Sequence, residues 1–174
     1  MQDNSKSLYL DLGPFQCAPG TFELLRENLK NLQVLILRAS LPRYLWQVFA
    51  QPVTWACADR LVTLDVIKIH STYVPILVEH IASGRFGNLK RLQINLNWVN
   101  PDPNIVIPAT EWNIRPLDVL VLNFVSRLEL EICGCLHAKE VHVKGMSPRA
   151  MIKLVRGGSF KEMTLLKIWQ RDWN

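Results

Sequence analysis

Cysteine is scarce in this chain: Cys17, Cys57, Cys133 and Cys135 are the only four in 174 residues. That is too few for a disulfide framework at this length, and no Asn-x-Ser/Thr sequon is present. Both absences lean toward a reducing, intracellular compartment, cytoplasmic or nuclear. Long apolar runs are also missing. No stretch reaches the roughly 18 residues that a membrane helix needs, so no membrane partner is expected. The opening "MQDNSKSLYLDLG" lacks the basic start and apolar run of a signal peptide. Catalytic signatures are absent too: there is no G-x-S-x-G, no H-E-x-x-H and no paired-carboxylate stretch. "RGGSF" (156–160) lacks the Gly-Lys-Ser/Thr ending of a phosphate loop and reads as a helix stop. A thiol enzyme would need a base and an orienting group beside its cysteine, and His70 and His80 are near Cys57 only in sequence. These absences point to a non-enzymatic protein with no cofactor.

What the chain does have is apolar material, 49% of its residues, with 20% charged. That suits one globular domain with a sizeable core. The net charge of +5 is uneven. From 139 onward, Lys139, Lys144, Arg149, Lys153, Arg156, Lys161, Lys167 and Arg171 face only Glu140, Glu162 and Asp172. The C-terminal part therefore carries the whole excess and the first 138 residues sum to zero. A basic end can attract a nucleic acid or an acidic partner, although a solvated helix face plus a few surface lysines is the simpler account.

The strongest positive signal is repetition. "NLKNLQVLILRAS" (28–40) and "GNLKRLQINLN" (87–97) share a pattern, and the triplet L-x-x-L-x-L organises the chain around it. Leu32-Leu35-Leu37, Leu61-Leu64-Val66, Leu89-Leu92-Ile94 and Leu117-Leu120-Leu122 fit it. Their middle positions, 35, 64, 92 and 120, step by 29, 28 and 28. Weaker copies flank them: Leu8 and Leu10 near the start, then Ala138-Val141-Val143 and Met163-Leu166-Ile168. About seven units result.

Two periods define each unit. Within a triplet the apolar residues alternate, which predicts a half-buried strand. Between triplets, "RYLWQVFA", "TYVPILVEHIAS" and "SPRAMIKLVRGG" show helical spacing. In the second of these, Ile76 or Leu77 shares a face with His80 and Ile81. In the third, Ser147 serves as N-cap and Pro148 opens the first turn. A strand-plus-helix unit of this size buries its apolar face only by stacking on its neighbours.

The pattern resembles leucine-rich repeats of the intracellular, ribonuclease-inhibitor-like or F-box-associated kind. That resemblance implies an α/β solenoid over residues 1–174, with a curved parallel sheet on the concave side and helices and loops on the convex side. It also implies a protein-interaction function, with the substrate-recognition part of a ubiquitin-ligase adaptor as one version. The usual Asn or Cys after the triplet is replaced by Ser40, Ile69 and Val125 in three clear copies and retained as Asn97 in one, so irregular turns are expected. The first strand lies close to Met1 without a polar cap. This leads us to expect a segment of a longer protein, or stacking on another chain.

Two stretches break the pattern. Residues 97–116 hold four prolines and read as an irregular connection with a short extended piece at Ile105–Ile107. "LDVLVLNFVSRLELEICGCL" (117–136) offers two triplets eight residues apart, Leu117-Leu120-Leu122 and Val125-Leu128-Leu130. The 28-residue step selects the first as the strand, and the stripe Val125, Leu128, Ile132, Leu136 then predicts a helix.

Cys133, Cys135, His137 and His142 are zinc-ligand types, but a C-x-C pair is closer than the spacing structural zinc sites prefer. No metal is assigned. The expected site is instead a surface: residues between the leucines point away from the core. They form a central row of Tyr9, Ile36, Asp65, Gln93, Val121, His142 and Lys167. One flanking row is Asp11, Arg38, Ile67, Asn95, Asn123, Lys144 and Trp169, and the other is Ser7, Val34, Thr63, Arg91, Val119, Glu140 and Leu165. Val34, Ile36, Val119 and Val121 would be solvent-exposed apolar residues there unless the chain itself covers them. Tyr9, Arg38, Arg91 and Trp169 are anchor types. The expected partner-binding set is Tyr9, Val34, Ile36, Arg38, Arg91, Gln93, Val121, His142, Lys144, Lys167 and Trp169. The partner is a protein, with a nucleic acid on the basic C-terminal units as the alternative. Of the six tryptophans, Trp46 and Trp55 are assigned to the convex layer, and Trp98 and Trp112 to the proline-rich connection. Trp169 and Trp173 are assigned to capping of the last unit.

Overall fold

The computed structural model describes residues 6–12, 30–39, 56–69, 74–96, 104–107, 115–123, 129–132, 136–145 and 160–169. The alternating triplets form strands, and the strands assemble in sequence order. β1 (Ser7–Leu12), β2 (Val34–Ala39), β3 (Thr63–Ile69), β4 (Arg91–Leu96), β6 (Leu117–Asn123), β8 (Leu136–Lys144) and β10 (Leu165–Trp169) make one open, all-parallel sheet of seven strands in line. A short β9 (Phe160–Lys161) pairs beside β10 on the same neighbour, β8. Each parallel step requires a crossover, and the 28-residue spacing provides room for one.

One face of this sheet is core. Leu35, Leu37, Leu64, Val66, Leu92, Ile94, Leu96, Leu120, Leu122, Ala138, Val141 and Val143 are all buried. Leu32, Leu61, Leu89 and Leu117, the first leucine of each clear triplet, are buried as well. The crossover from β3 to β4 contains α1 (Val74–His80), whose Pro75 sits in the first turn, where its missing N–H is not needed. Val74, Leu77, Val78 and Ile81 are buried, the i, i+3, i+4, i+7 set of one helix face. Leu77 therefore joins the core and Ile76 does not. The helix widens into a π turn over Ile81–Arg85 and stops where Gly84 adopts φ 88, a left-handed conformation that costs glycine little.

The strands begin on a repeated device. The carbonyl of Lys6 accepts the amides of both Gln33 and Val34, and that of Gln33 accepts those of Val62 and Thr63. The carbonyl of Val62 accepts Lys90 and Arg91, and that of Lys90 accepts Asp118 and Val119. The first five strands of the main sheet are thus locked in series, each step by one carbonyl shared between two amides, which fixes register at the start of each strand.

Two bulges interrupt the regularity. Ile67 pairs with Asn95 but Ile69 pairs with Leu96, so Lys68 is extra, in keeping with the irregular turn expected at Ile69. Between the pairs His137↔Lys161 and Glu140↔Leu165, residues 138–139 of β8 oppose 162–164. Glu162 takes up the extra residue at φ 61.

The helix expected on the stripe Val125, Leu128, Ile132, Leu136 does not form over its described part. Glu129–Ile132 is a strand, β7, paired in parallel with β5 (Asn104–Ile107) in a separate two-stranded sheet. β5 lies against α1. The physical reason is pairing: the extended piece at 105–107 needs a partner for its backbone, and Leu130 and Ile132 between glutamates alternate as a strand does. Of the two competing triplets, Leu117-Leu120-Leu122 enters the main sheet, and Leu130 of the other lies in β7. The stretches "RYLWQVFA" and "SPRAMIKLVRGG", with Ser147 and Pro148, lie outside the described residues, as do Trp46, Trp55, Trp98, Trp112 and Trp173. Among the described residues no helix is long and apolar enough to cross a membrane.

Candidate functional site: the open face of the sheet

The face opposite the core is the candidate site, and backbone pairing builds it row by row. Tyr9 pairs with Ile36, Ile36 with Asp65, Asp65 with Gln93, Gln93 with Val121, Val121 with His142, and His142 with Lys167. Asp11, Arg38, Ile67, Asn95, Asn123, Lys144 and Trp169 form the second row, and Ser7, Val34, Thr63, Arg91, Val119, Glu140 and Leu165 the third. All three rows run in the register that the triplets imply. The sheet thus brings together all eleven expected partner-binding positions.

Their exposure differs from a uniformly open surface. Tyr9 (55%), Leu165 (38%) and Trp169 (46%) are exposed, as are Arg38, Arg91, Lys144 and Lys167, and they stand toward the margins of the face. Val34, Ile36, Gln93, Val119 and His142 are half-buried. Val121, expected in solvent, is only 8% exposed. It is a short side chain between Gln93 and His142 at an inter-strand spacing of about 4.8 Å, where longer neighbours cover it.

Polar residues on this face are paired into two groups. In the middle, Asn123 Nδ2 donates to Asn95 Oδ1, and Asn95 Nδ2 donates to Asp65 Oδ1 at 3.4 Å. Arg91 Nη2 donates to Gln93 Oε1 at 3.2 Å. Burial pushes the Asp65 carboxyl up to about 6, with the Arg91 charge pulling it partly back. Toward the C-terminal end, Glu140 Oε2 lies 3.2 Å from His142 Nε2 and 3.9 Å from Lys167 Nζ. The His142 ring meets Trp169 edge-on at 5.3 Å between centroids. Trp169 therefore belongs to the open face and does not cap the end of the core. Glu140 was missing from the expected binding set although it links two of its members. The available signal was its position two residues before His142, on the same side of one strand.

The candidates for bond-making chemistry are dispersed. Cys57 is buried and its thiol is pushed up to about 11 by that burial, so at neutral pH it is neither a thiolate nor a ready nucleophile. Burial, with Arg85 second, holds the His80 imidazole below its ordinary range against the opposite pull of Glu79. Cys57 and His80 share no hydrogen bond among the described residues; His70 lies outside them. His137 and His142 both lie on β8, five residues apart. Cys133 and Cys135 lie outside the described residues, and those described hold no group of three or more His, Cys, Asp or Glu that could bind a metal. A variant retaining Cys57 alone should resist alkylation by a thiol reagent at pH 7.5 and react at least tenfold faster once unfolded. Rapid labelling of the native chain would contradict the burial.

Comparison with protein-family models, with curated proteins and with solved structures returns no match to this chain.

Proposed function

We propose that the chain is a leucine-rich-repeat-type solenoid that binds another protein through the open face of its sheet and performs no catalysis. The observation that carries this reading is the contrast between the two faces of one parallel sheet. From β2 to β8 the core face buries Leu35, Leu64, Leu92, Leu120 and Val141, and only at its end, on β10, is Ile168 exposed, whereas the open face leaves Tyr9, Leu165 and Trp169 in solvent together with Arg38 and Arg91. Exposed aromatic and arginine side chains on a rigid support are the usual anchors of a protein interface. The steps near 28 residues and the alternating core support the repeat type. The narrower version, a ubiquitin-ligase adaptor, rests on the resemblance of the repeats.

The test is capture from lysate followed by titration of the purified partner. Ile36→Glu and Trp169→Ala are the informative variants, each checked for folding by circular dichroism. Glutamate at the buried Val121 would test folding instead. A protein retained at about 0.5 M salt, where the Debye length is well below 10 Å, and lost in both variants supports the proposal. Ligase subunits among the captured proteins would support the narrower version. A nucleic acid released by salt and indifferent to both variants would move function to the basic C-terminal units.

A further inference from the structure

A second surface lies along the edge at which the strands begin, where topology gathers charge that the sequence disperses. Lys6, Asn31, Gln33, Arg60, Asn88 and Lys90 line an open cleft of about 630 Å³. Val62 also lines it, and among the described residues no carboxylate side chain does. The three cations come from three different repeats. They meet because successive repeats are locked through the carbonyls of Lys6, Gln33 and Val62. Lys6 and Lys90 are three strand spacings apart, roughly 14 Å between backbones, with Arg60 between them in strand order.

Two side-chain amides of the cleft are held by the neighbouring repeat. Asn31 Oδ1 accepts from Arg60 Nη1 at 2.5 Å, which orients the guanidinium along the rim and leaves the Asn31 amino group available. Asn88 is held by its Nδ2 bond to the Asp59 carbonyl at 2.5 Å. Lys6 and Lys90 form no ion pair among the described residues. The Asp118 carboxylate, which feels the charge of Lys90, is bonded to Lys139 at 2.8 Å. Among the described lining residues Lys6, Arg60 and Lys90 are cations and none is an acid, and the carbonyls of Lys6, Gln33, Val62 and Lys90 each already accept two amides.

We propose that this edge is a binding site for a small ligand carrying several oxyanion groups, with Lys6 and Lys90 engaging its ends and Arg60 its middle. The cleft volume falls within the range of small-molecule sites, but its polar lining selects charge over an apolar ring. The site is separate from the open face and independent of the protein-binding reading.

Isothermal titration of the full chain at low salt, with inorganic triphosphate and citrate as probes, tests it. Saturable one-to-one binding of at least one probe is expected, weakened tenfold or more by the double substitution Lys6→Gln with Lys90→Gln. The pair Lys144→Gln with Lys167→Gln removes equal charge from the open face and should leave affinity within twofold. Side-chain amide resonances of Asn31 should shift on binding. Preference for triphosphate assigns phosphoryl chemistry, and preference for citrate assigns carboxylates. No saturable binding of either probe, or equal weakening by both pairs, overturns the site. The lysines involved are exposed, so all four substitutions are compatible with the fold.

Discussion

Replacing Leu64 by alanine is expected to cost about 2–5 kcal/mol of folding stability, whereas Ile36→Ala, one strand away, should cost under about 1.5 kcal/mol. Leu64 is fully buried at the centre of the main sheet, and its strand neighbours Leu35 and Leu92 are buried with it. Truncation there removes the transfer energy of the lost methyl groups and leaves a cavity in a layer held on both sides by backbone pairing. Ile36 stands on the open face and is half-buried, so its loss leaves a shallow depression that water can fill. The comparison tests the register directly, because a slip of one residue would exchange the two roles. Urea denaturation of the two variants measures it. Equal costs, or a larger cost at Ile36, would mean that the faces are assigned the wrong way round.

The register was readable because two independent periods agreed. Alternation inside each triplet fixed the face, and the step near 28 residues fixed the neighbour, so every cross-strand pair on the open face followed. Where the periods conflicted, the reading failed. The stripe Val125, Leu128, Ile132, Leu136 is helical in spacing, yet Leu130 and Ile132 also alternate with Glu129 and Glu131, and the sequence does not rank the two. Ile105–Ile107 could have decided it, since an extended segment inside a domain needs a partner strand.

Other features depended on distance, not pattern. Val121 is covered because its row neighbours are longer, and face assignment alone carries no information on side-chain height. The cations of the leading edge were hidden by counting charge along the chain. Lys6, Arg60 and Lys90 are diluted by acids in sequence, but a parallel sheet places equivalent positions of each repeat side by side. Asp118 and Lys139 show the same effect with the opposite result. They are 21 residues apart and pair at 2.8 Å, on a surface so exposed that the bond adds little to stability.

Asp65→Asn should stabilise the protein at neutral pH, by on the order of 1–2 kcal/mol once partial solvent access is allowed for. The carboxylate occupies the centre of the open face between Ile36 and Gln93, where burial disfavours its charge more strongly than Arg91 favours it. Its folded-state value of about 6 lies above the ordinary 3.8, so between those values the native state holds the proton that the unfolded chain has released. By linkage, Asp65's contribution to stability falls as pH rises through that window and reaches its lowest level above it. Asparagine keeps an oxygen that can accept from Asn95 Nδ2 and carries no charge at any pH. The two proteins should therefore be about equally stable below pH 4. They should diverge between 4 and 6, with the variant ahead, and stay a constant interval apart above 7. Subtracting their denaturation free energies at each pH cancels the other titrating groups, including Asp118, whose bond to Lys139 shifts it the opposite way. A variant less stable at pH 7 would show that the charge of Asp65 is a net support of the face, held by Arg91 and Asn95. A partner supplying a cation over this position would then gain nothing from relieving it. The expected result carries the opposite consequence for binding: a carboxylate that strains the free protein is one that an incoming lysine or arginine would satisfy.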